Sequence, residues 1–425
     1  MYIMENNLLA KNLDCNYNDE TRNYPDDYTG LFWLDSKDPY DQYGKKGLVN
    51  FDVNKKTVIF IHGWSEGIIR NKEFNCLSST TKNQYICHNS WLKEWNVGIF
   101  RWEAFADDDE PFSDMFNHFT YAPIIVESKI HTSHNQFGFN NMRYKNNHDD
   151  NFSYLTPESP FYNCKTISDI FVYEYGKIFS LANTLEMRFV GHSLGCQLSL
   201  SVVKKINVDN LLYKSVDRLE LLDPYFCYGK KKYLNNKTSG EIAIKNLKSF
   251  NPPSNSFFKQ QVINVAVSWI QCTNLTDITY ISDSNVEMKK YLVWQGVKFW
   301  YLSDISLADR HNEIIQWYFS TYNKASMKVY KYKSQWFRLP VWNIVTNPQN
   351  CIAISATNDI EYIKTNMLKA QYFLHIHKSI FMTDADKALT DGVLTIDTSD
   401  DIFSIETGFC PDNEKLYEYF RATIL

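Results

Sequence analysis

Apolar residues fall into short continuous runs separated by stripes of helical period, and the runs set the framework. Thr57-Val58-Ile59-Phe60-Ile61 is β-branched and aromatic and ends in His62-Gly63-Trp64, the pattern of a buried strand feeding a glycine turn. Val97-Gly98-Ile99-Phe100-Arg101-Trp102 predicts a second strand. Ile170, Phe171, Tyr175, Ile178 and Phe179 recur at helical spacing and lead into Met187-Arg188-Phe189-Val190, so a helix precedes a third strand. Beyond Gly191-His192-Ser193, the residues Leu194, Leu198 and Val202 fall four apart, as in a helix packed on a sheet. The run Leu219 to Leu222 closes on Asp223-Pro224, and Val262 to Val267 predicts a further strand. Strands alternating with helices imply an α/β fold: a mainly parallel central sheet with helices on both faces.

The pattern also divides the chain. Residues 1–50 are rich in Asp, Asn and Tyr and read as an irregular N-terminal arm, and 51–330 form the main body. Within that body, about 104–165 is a polar stretch read as insertion or lid material. Residues 331–425 form a C-terminal extension to which no fold or function is assigned, although Cys351-Ile352-Ala353-Ile354 and Gly392-Val393-Leu394-Thr395-Ile396 suggest strands. No internal repeat is evident.

Composition narrows the function. A net charge of -5 over 425 residues offers no basic face for phosphates, which sets nucleic-acid partners aside. No window approaches the roughly 18 apolar residues of a membrane span. The first twenty residues lack a basic start and an apolar run, so no secretory signal is readable, and an intracellular or virus-associated chain is expected. The heavy use of Asn, Lys, Ile and Tyr fits an AT-rich genome. Nine scattered cysteines without a CxxC pair argue against zinc and against a disulfide framework, so reduced thiols and no metal or cofactor are expected. Sequons at Asn151, Asn236 and Asn274 would matter only in a secretory pathway. Nothing in the sequence indicates an oligomeric state.

The candidate chemistry centres on Gly191-His192-Ser193-Leu194-Gly195. This GxSxG follows a predicted strand and opens a predicted helix, the geometry that lifts a serine hydroxyl above a sheet. The competing reading is that Ser193 merely caps the helix. A serine nucleophile needs a base, and the base an acid that fixes its tautomer. Asp223, at the end of the following strand, is the natural acid, with Glu220 and Asp217 as alternatives. His311, just before the apolar stripe of Ile314, Ile315, Tyr318, Phe319 and Tyr322, is the candidate base, with His375 and His377 as alternatives. Backbone N–H groups of Leu194 and Trp64 are the candidate oxyanion donors, and His62 reads as a turn-stabilising residue.

With these pieces in order, the chain resembles the neutral, pancreatic-type lipase family of α/β hydrolases. VIFIHGW, WNVGIFRW, FVGHSLG, RLELLDP, INVAVSWIQCTN, VKFWYLSD and ADRHNEIIQWYFSTY match successive pieces of that family over about residues 55–325. The resemblance implies an α/β-hydrolase fold, with Ser193 as nucleophile, Asp223 as acid, His311 as base, and Trp64 and Leu194 as oxyanion donors. It implies a triacylglycerol lipase that takes a lipid ester at a lipid–water interface and forms an acyl-enzyme. Phospholipase A1 and general carboxylesterase are the alternatives, as is an inactive lipase-like binding protein. The chain departs from the family at Cys196-Gln197, where Ala-His is usual, and at Ala308-Asp309-Arg310, where a cysteine usually precedes the histidine. The family's calcium site and lipid-binding β-sandwich have no match here.

Overall fold

The computed structural model describes residues 25–34, 45–47, 50–64, 91–108, 115–133, 142–145, 151–179, 185–209, 212–227, 229–250, 265–271, 293–297, 311, 315, 318–319, 330–333, 341–344, 360, 370–375 and 403–406. They belong to two compact units, residues 1–218 with 226–264, and residues 219–225 with 265–425.

In the first unit the sheet is built from β1 (Gly30–Trp33), β2 (Lys45–Lys46), β3 (Lys56–Ile61), β4 (Trp95–Arg101) and β7 (Met187–His192). β3 is parallel to both β4 and β7, and β1 runs antiparallel to β4 and β2. Thr57–Ile61 and the whole of β4 and β7 are buried, which is why these strands read as continuous apolar runs rather than alternating ones. β1 lies within the expected irregular arm. Its Leu31, Phe32 and Trp33 are buried beside β4, a run too short to stand out against its polar surroundings.

The helices are α1 (Glu103–Ala106), α2 (Met115–His131), α3 (Ile167–Ile178), α4 (Leu194–Lys204) and α5 (Ser239–Phe250). α3 starts with a capping box: the Thr166 side chain takes the Asp169 N–H, and the Asp169 carboxylate takes the Thr166 N–H. Of the stripe read from the sequence, Ile170, Phe171, Tyr175 and the C-cap Phe179 are buried and Ile178 is half-buried, with Ile167 buried beside them. α4 packs on β7 and β3 and is surrounded by α2, α3 and α5. Leu194 to Val203 are therefore all buried, not only the stripe of every fourth residue.

Much of the stretch read as insertion or lid is regular: it holds α1, α2 and a two-stranded ribbon of β5 (Arg143–Lys145) and β6 (Phe152–Tyr154). α2 buries Ala122, Ile125, Val126 and Ile130, but its charged residues mask that face in the sequence because they too are buried. Asp108 accepts two hydrogen bonds from Arg143, at 2.7 and 2.8 Å, and lies 2.7 Å from the fully buried Lys129 ammonium. Lys129 also donates to the carbonyls of Phe105 and Arg143, each at 2.9 Å.

In the second unit, β8 (Arg218–Leu222, of which 219–222 count here), β9 (Ala266–Gln271), β10 (Val293–Val297), β13 (Ala370–His375) and β14 (Phe403–Glu406) follow one another in that order. β10 is parallel to β9 and β13, and β14 is antiparallel to β13. β9 begins four residues later than the run at Val262 predicts, and 262–264 lie outside the described residues. A separate hairpin pairs β11 (Tyr330–Lys333) with β12 (Val341–Ile344). Among the described residues the C-terminal extension thus adds β13 and β14 to the larger sheet, while the suggested strands at 351–354 and 392–396 lie outside the described residues. Among the described residues, no helix is long and apolar enough to cross a membrane.

The buried triad in the first unit sets a prediction. Asp108→Ala strips two cations of their counter-ion, one of them fully buried, and is expected to lower stability by about 3–5 kcal/mol in urea denaturation. Burial alone would raise the Asp108 carboxyl, but Lys129 and Arg143 hold it below its usual value of 3.8. Its contribution is therefore complete above that usual value and is lost only as pH falls through the lowered one, which acid titration of wild type against Asp108→Ala checks.

Candidate active site

β7 ends at His192 and α4 begins at Leu194, so Ser193 alone makes the turn. It does so with φ 56° and ψ −126°, a left-handed conformation that costs a non-glycine residue on the order of 1–3 kcal/mol. Ser193 makes no capping hydrogen bond with its side chain, which removes the helix-cap reading. What forces the turn is proximity. A Cβ on Gly195 would lie 2.1 Å from the Ile61 carbonyl oxygen and 2.5 Å from that of His62, so the first turn of α4 rests directly on the end of β3. Only glycine permits that approach.

The loop after β3 closes over the same serine. A Cβ on Gly63 would sit 2.6 Å from Ser193 Cβ and 3.0 Å from the Leu194 nitrogen. The Gly63–Trp64 peptide and the Leu194 N–H are thus neighbours of Ser193. His62 sets the orientation of that peptide. Its Nδ1 is 2.8 Å from the Gly63 carbonyl oxygen, which can only accept, so Nδ1 carries the proton. Its Nε2 is then the acceptor for the Trp102 N–H at 3.4 Å, while Trp102 Nε1 donates to the His62 carbonyl at 3.0 Å. Because the peptide is planar and trans, drawing the Gly63 carbonyl to one side turns the Trp64 N–H to the other. His62 is 1% exposed, stacked on the Trp102 ring, and acts as the turn-stabilising residue that the sequence suggested.

The second unit holds the other expected pair. Asp223 follows β8, is fully buried with φ 42°, and its Oδ2 lies 2.5 Å from His311 Nδ1. His311 keeps 14% of its side chain exposed. An imidazole whose Nδ1 is engaged by a carboxylate presents Nε2 for proton transfer. The alternative acids are engaged elsewhere: the Ser268 hydroxyl donates to Glu220, and Asp217 accepts from the Met187 N–H and from Lys214, both at 2.8 Å. His375 closes β13, and His377 lies outside the described residues. Among the described residues no cluster of His, Cys, Asp and Glu could hold a metal ion.

The two departures after the elbow also find their places. Cys196 Sγ donates to the Gly191 carbonyl at 3.1 Å, and the Gln197 amide bonds to Glu127 and His131 of α2. Glu127 and His131 went unnoticed in the sequence, since nothing in their spacing distinguishes a buried pair from a solvated helix face.

No protein-family model and no curated protein matches this chain. Among solved structures, esterase B from Lactobacillus rhamnosis inhibited by a C6-C4 SN3 compound is similar at 11% identity over 66% of this chain and 78% of that one, with a TM-score of 0.22. The same esterase with a C4-C4 SN3 tributyrin phosphonate is similar at 12% identity over 66% and 77%, with a TM-score of 0.23. Likeness at these values carries no functional assignment. The mostly parallel sheet with its packed helices is compatible with the α/β-hydrolase fold expected from the sequence.

The fit at Gly195 is open to test. Gly195→Ala is expected to destabilise the chain by about 2–3 kcal/mol, because the new methyl meets backbone oxygens that cannot move aside, and thermal unfolding reads the loss.

Proposed function

We propose that this chain is a serine-dependent carboxylic ester hydrolase of the α/β-hydrolase type, and within that class a triacylglycerol lipase. The observation that carries the reading is the strained Ser193 turn with the Gly63–Trp64 peptide and the Leu194 N–H beside it. The Asp223–His311 hydrogen bond supports it from the second unit. The narrower assignment to lipid esters rests on the HGW, GHSLG and LDP resemblance alone.

In this reading the Ser193 hydroxyl attacks the ester carbonyl carbon while His311 Nε2 takes its proton. Asp223 holds the imidazole in the Nδ1–H tautomer and stabilises the imidazolium. Charge moves onto the former carbonyl oxygen, where the N–H groups of Trp64 and Leu194 receive it. Collapse breaks the C–O bond, His311 returns the proton to the departing alkoxide, and the acyl group stays on Ser193. Water then attacks that acyl group with His311 as base, the bond from Ser193 Oγ to the acyl carbon breaks, His311 returns the proton to Ser193, and the carboxylic acid leaves.

Labelling by a fluorophosphonate probe is expected for wild type and absent for Ser193→Ala; folded wild type that resists the probe would point instead to an inactive binding protein. Asp223→Asn is expected to lower kcat on a soluble p-nitrophenyl ester on the order of 10⁴-fold, through the wrong imidazole tautomer. Turning the Trp64 N–H aside by His62→Phe is expected to lower kcat about 10²-fold with KM little changed. Fatty acid release from triacylglycerol emulsions, phospholipid vesicles and soluble esters separates lipase from phospholipase A1 and from carboxylesterase, with the emulsion expected to be the best substrate.

A further inference from the structure

Behind the elbow one fully buried carboxylate collects several donors. Glu127 on α2 accepts from Gln197 Nε2 at 2.8 Å and from the Cys227 N–H at 3.0 Å through Oε2. Its Oε1 accepts from the Tyr233 hydroxyl at 2.7 Å and lies 3.6 Å from the Lys231 ammonium. His131, one helical turn further along α2, meets the other end of the same Gln197 amide, with Nε2 3.1 Å from Gln197 Oε1. Since Gln197 Nε2 donates to a carboxylate, Oε1 is the acceptor, and His131 is the donor through Nε2–H. Two side chains spaced i, i+4 on one face of α2 thus take both ends of a single amide.

Gln197 stands about one turn after Ser193 on α4. A strained residue keeps its conformation only when its surroundings over-determine it. The bonds from Cys196 to Gly191 and from Ser199 to Gly195 stay within the elbow and cannot fix it against the rest of the unit. The Gln197 amide does, by tying the first turn of α4 to α2.

We infer that Glu127 and His131 are positioning residues that grip Gln197 and thereby hold Ser193 and the Leu194 N–H at their working place, an inference that rests on the hydrolase reading of Ser193. A shift of about 1 Å at a reacting group costs on the order of 10²-fold in rate, so a loosened grip appears in turnover rather than in substrate binding.

Two variants test this. Gln197→Met keeps the length of the side chain and leaves Glu127 its other partners, and His131→Leu removes the second hold together with the imidazole's electrostatic contact with Glu127; both leave the Glu127–Lys231 pair in place. Each is assayed on a soluble p-nitrophenyl ester, by thermal unfolding, and by hydrogen exchange of the peptide covering residues 187–197. The inference expects kcat to fall roughly 10- to 100-fold with KM within about twofold, and elbow exchange to rise about tenfold while the unfolding temperature moves only a few degrees. Unchanged kcat and elbow exchange in both variants overturn it. So does a loss of activity that merely follows a general loss of stability, without faster exchange confined to the elbow. If wild type neither turns over the ester nor reacts with a fluorophosphonate, the hydrolase reading fails; faster elbow exchange in the variants still upholds the grip, and unchanged exchange overturns it.

Discussion

The helix after Ser193 begins so close to the end of β3 that no side chain fits between Gly195 and the carbonyls of Ile61 and His62. That contact leaves β7 and α4 a single residue in which to reverse, and a single residue can do so only in the left-handed conformation that Ser193 adopts. The loop leaving β3 is drawn onto the same spot, because Gly63 packs against Ser193 Cβ and the Leu194 nitrogen. Gly63, the Leu194 N–H and the Ser193 side chain therefore meet at one corner of the first unit. His62 orders the corner from beneath by holding the Gly63 carbonyl, and Trp102 holds His62.

Around this corner the first unit buries charge and compensates it locally. Arg188, the second residue of β7, is 1% exposed; it pairs with Glu186 at 2.6 Å and lies 4.6 Å from the centre of the Trp95 ring. Asp108 takes Lys129 and Arg143, and Glu127 takes Lys231, Gln197 and Tyr233. A carboxylate left alone in such surroundings would shed its charge. Burial works against ionisation of Glu127, yet the charge of Lys231, with His131 and the donated hydrogen bonds, keeps its carboxyl below the ordinary range. Asp108, Glu127, Lys129 and Arg143 are among the charged residues that make 104–165 look like a solvated insertion in the sequence. At Asp108, Glu127 and Lys129 polarity marks internal pairing, which one-dimensional patterning cannot tell from exposure.

The acid and base show the opposite balance between sequence and structure. Of three carboxylates along β8, Asp217 stands just before the strand, Glu220 within it and Asp223 at its end, the position that favoured Asp223, and the tertiary environment separates them as well. Glu220 and Asp217 are taken by Ser268 and by Met187 with Lys214, whereas Asp223 bonds to His311. Since the preference for His311 over His375 and His377 came from its place before an apolar stripe, the bond to Asp223 adds an independent geometric reason.

By itself the sequence determined the strands β3, β4, β7 and β8, the helix α3 and the glycine turn around Ser193, because continuous burial, helical period and close backbone approach each leave a local residue pattern. It left β1 hidden in a polar arm and α2 hidden in a polar stretch, and it could not see that Glu127 and His131 hold Gln197. Those features depend on which distant groups meet, 66 and 70 positions apart for the two bonds to Gln197. Partners so far apart in sequence are chosen by packing and mutual desolvation, which only the folded chain decides.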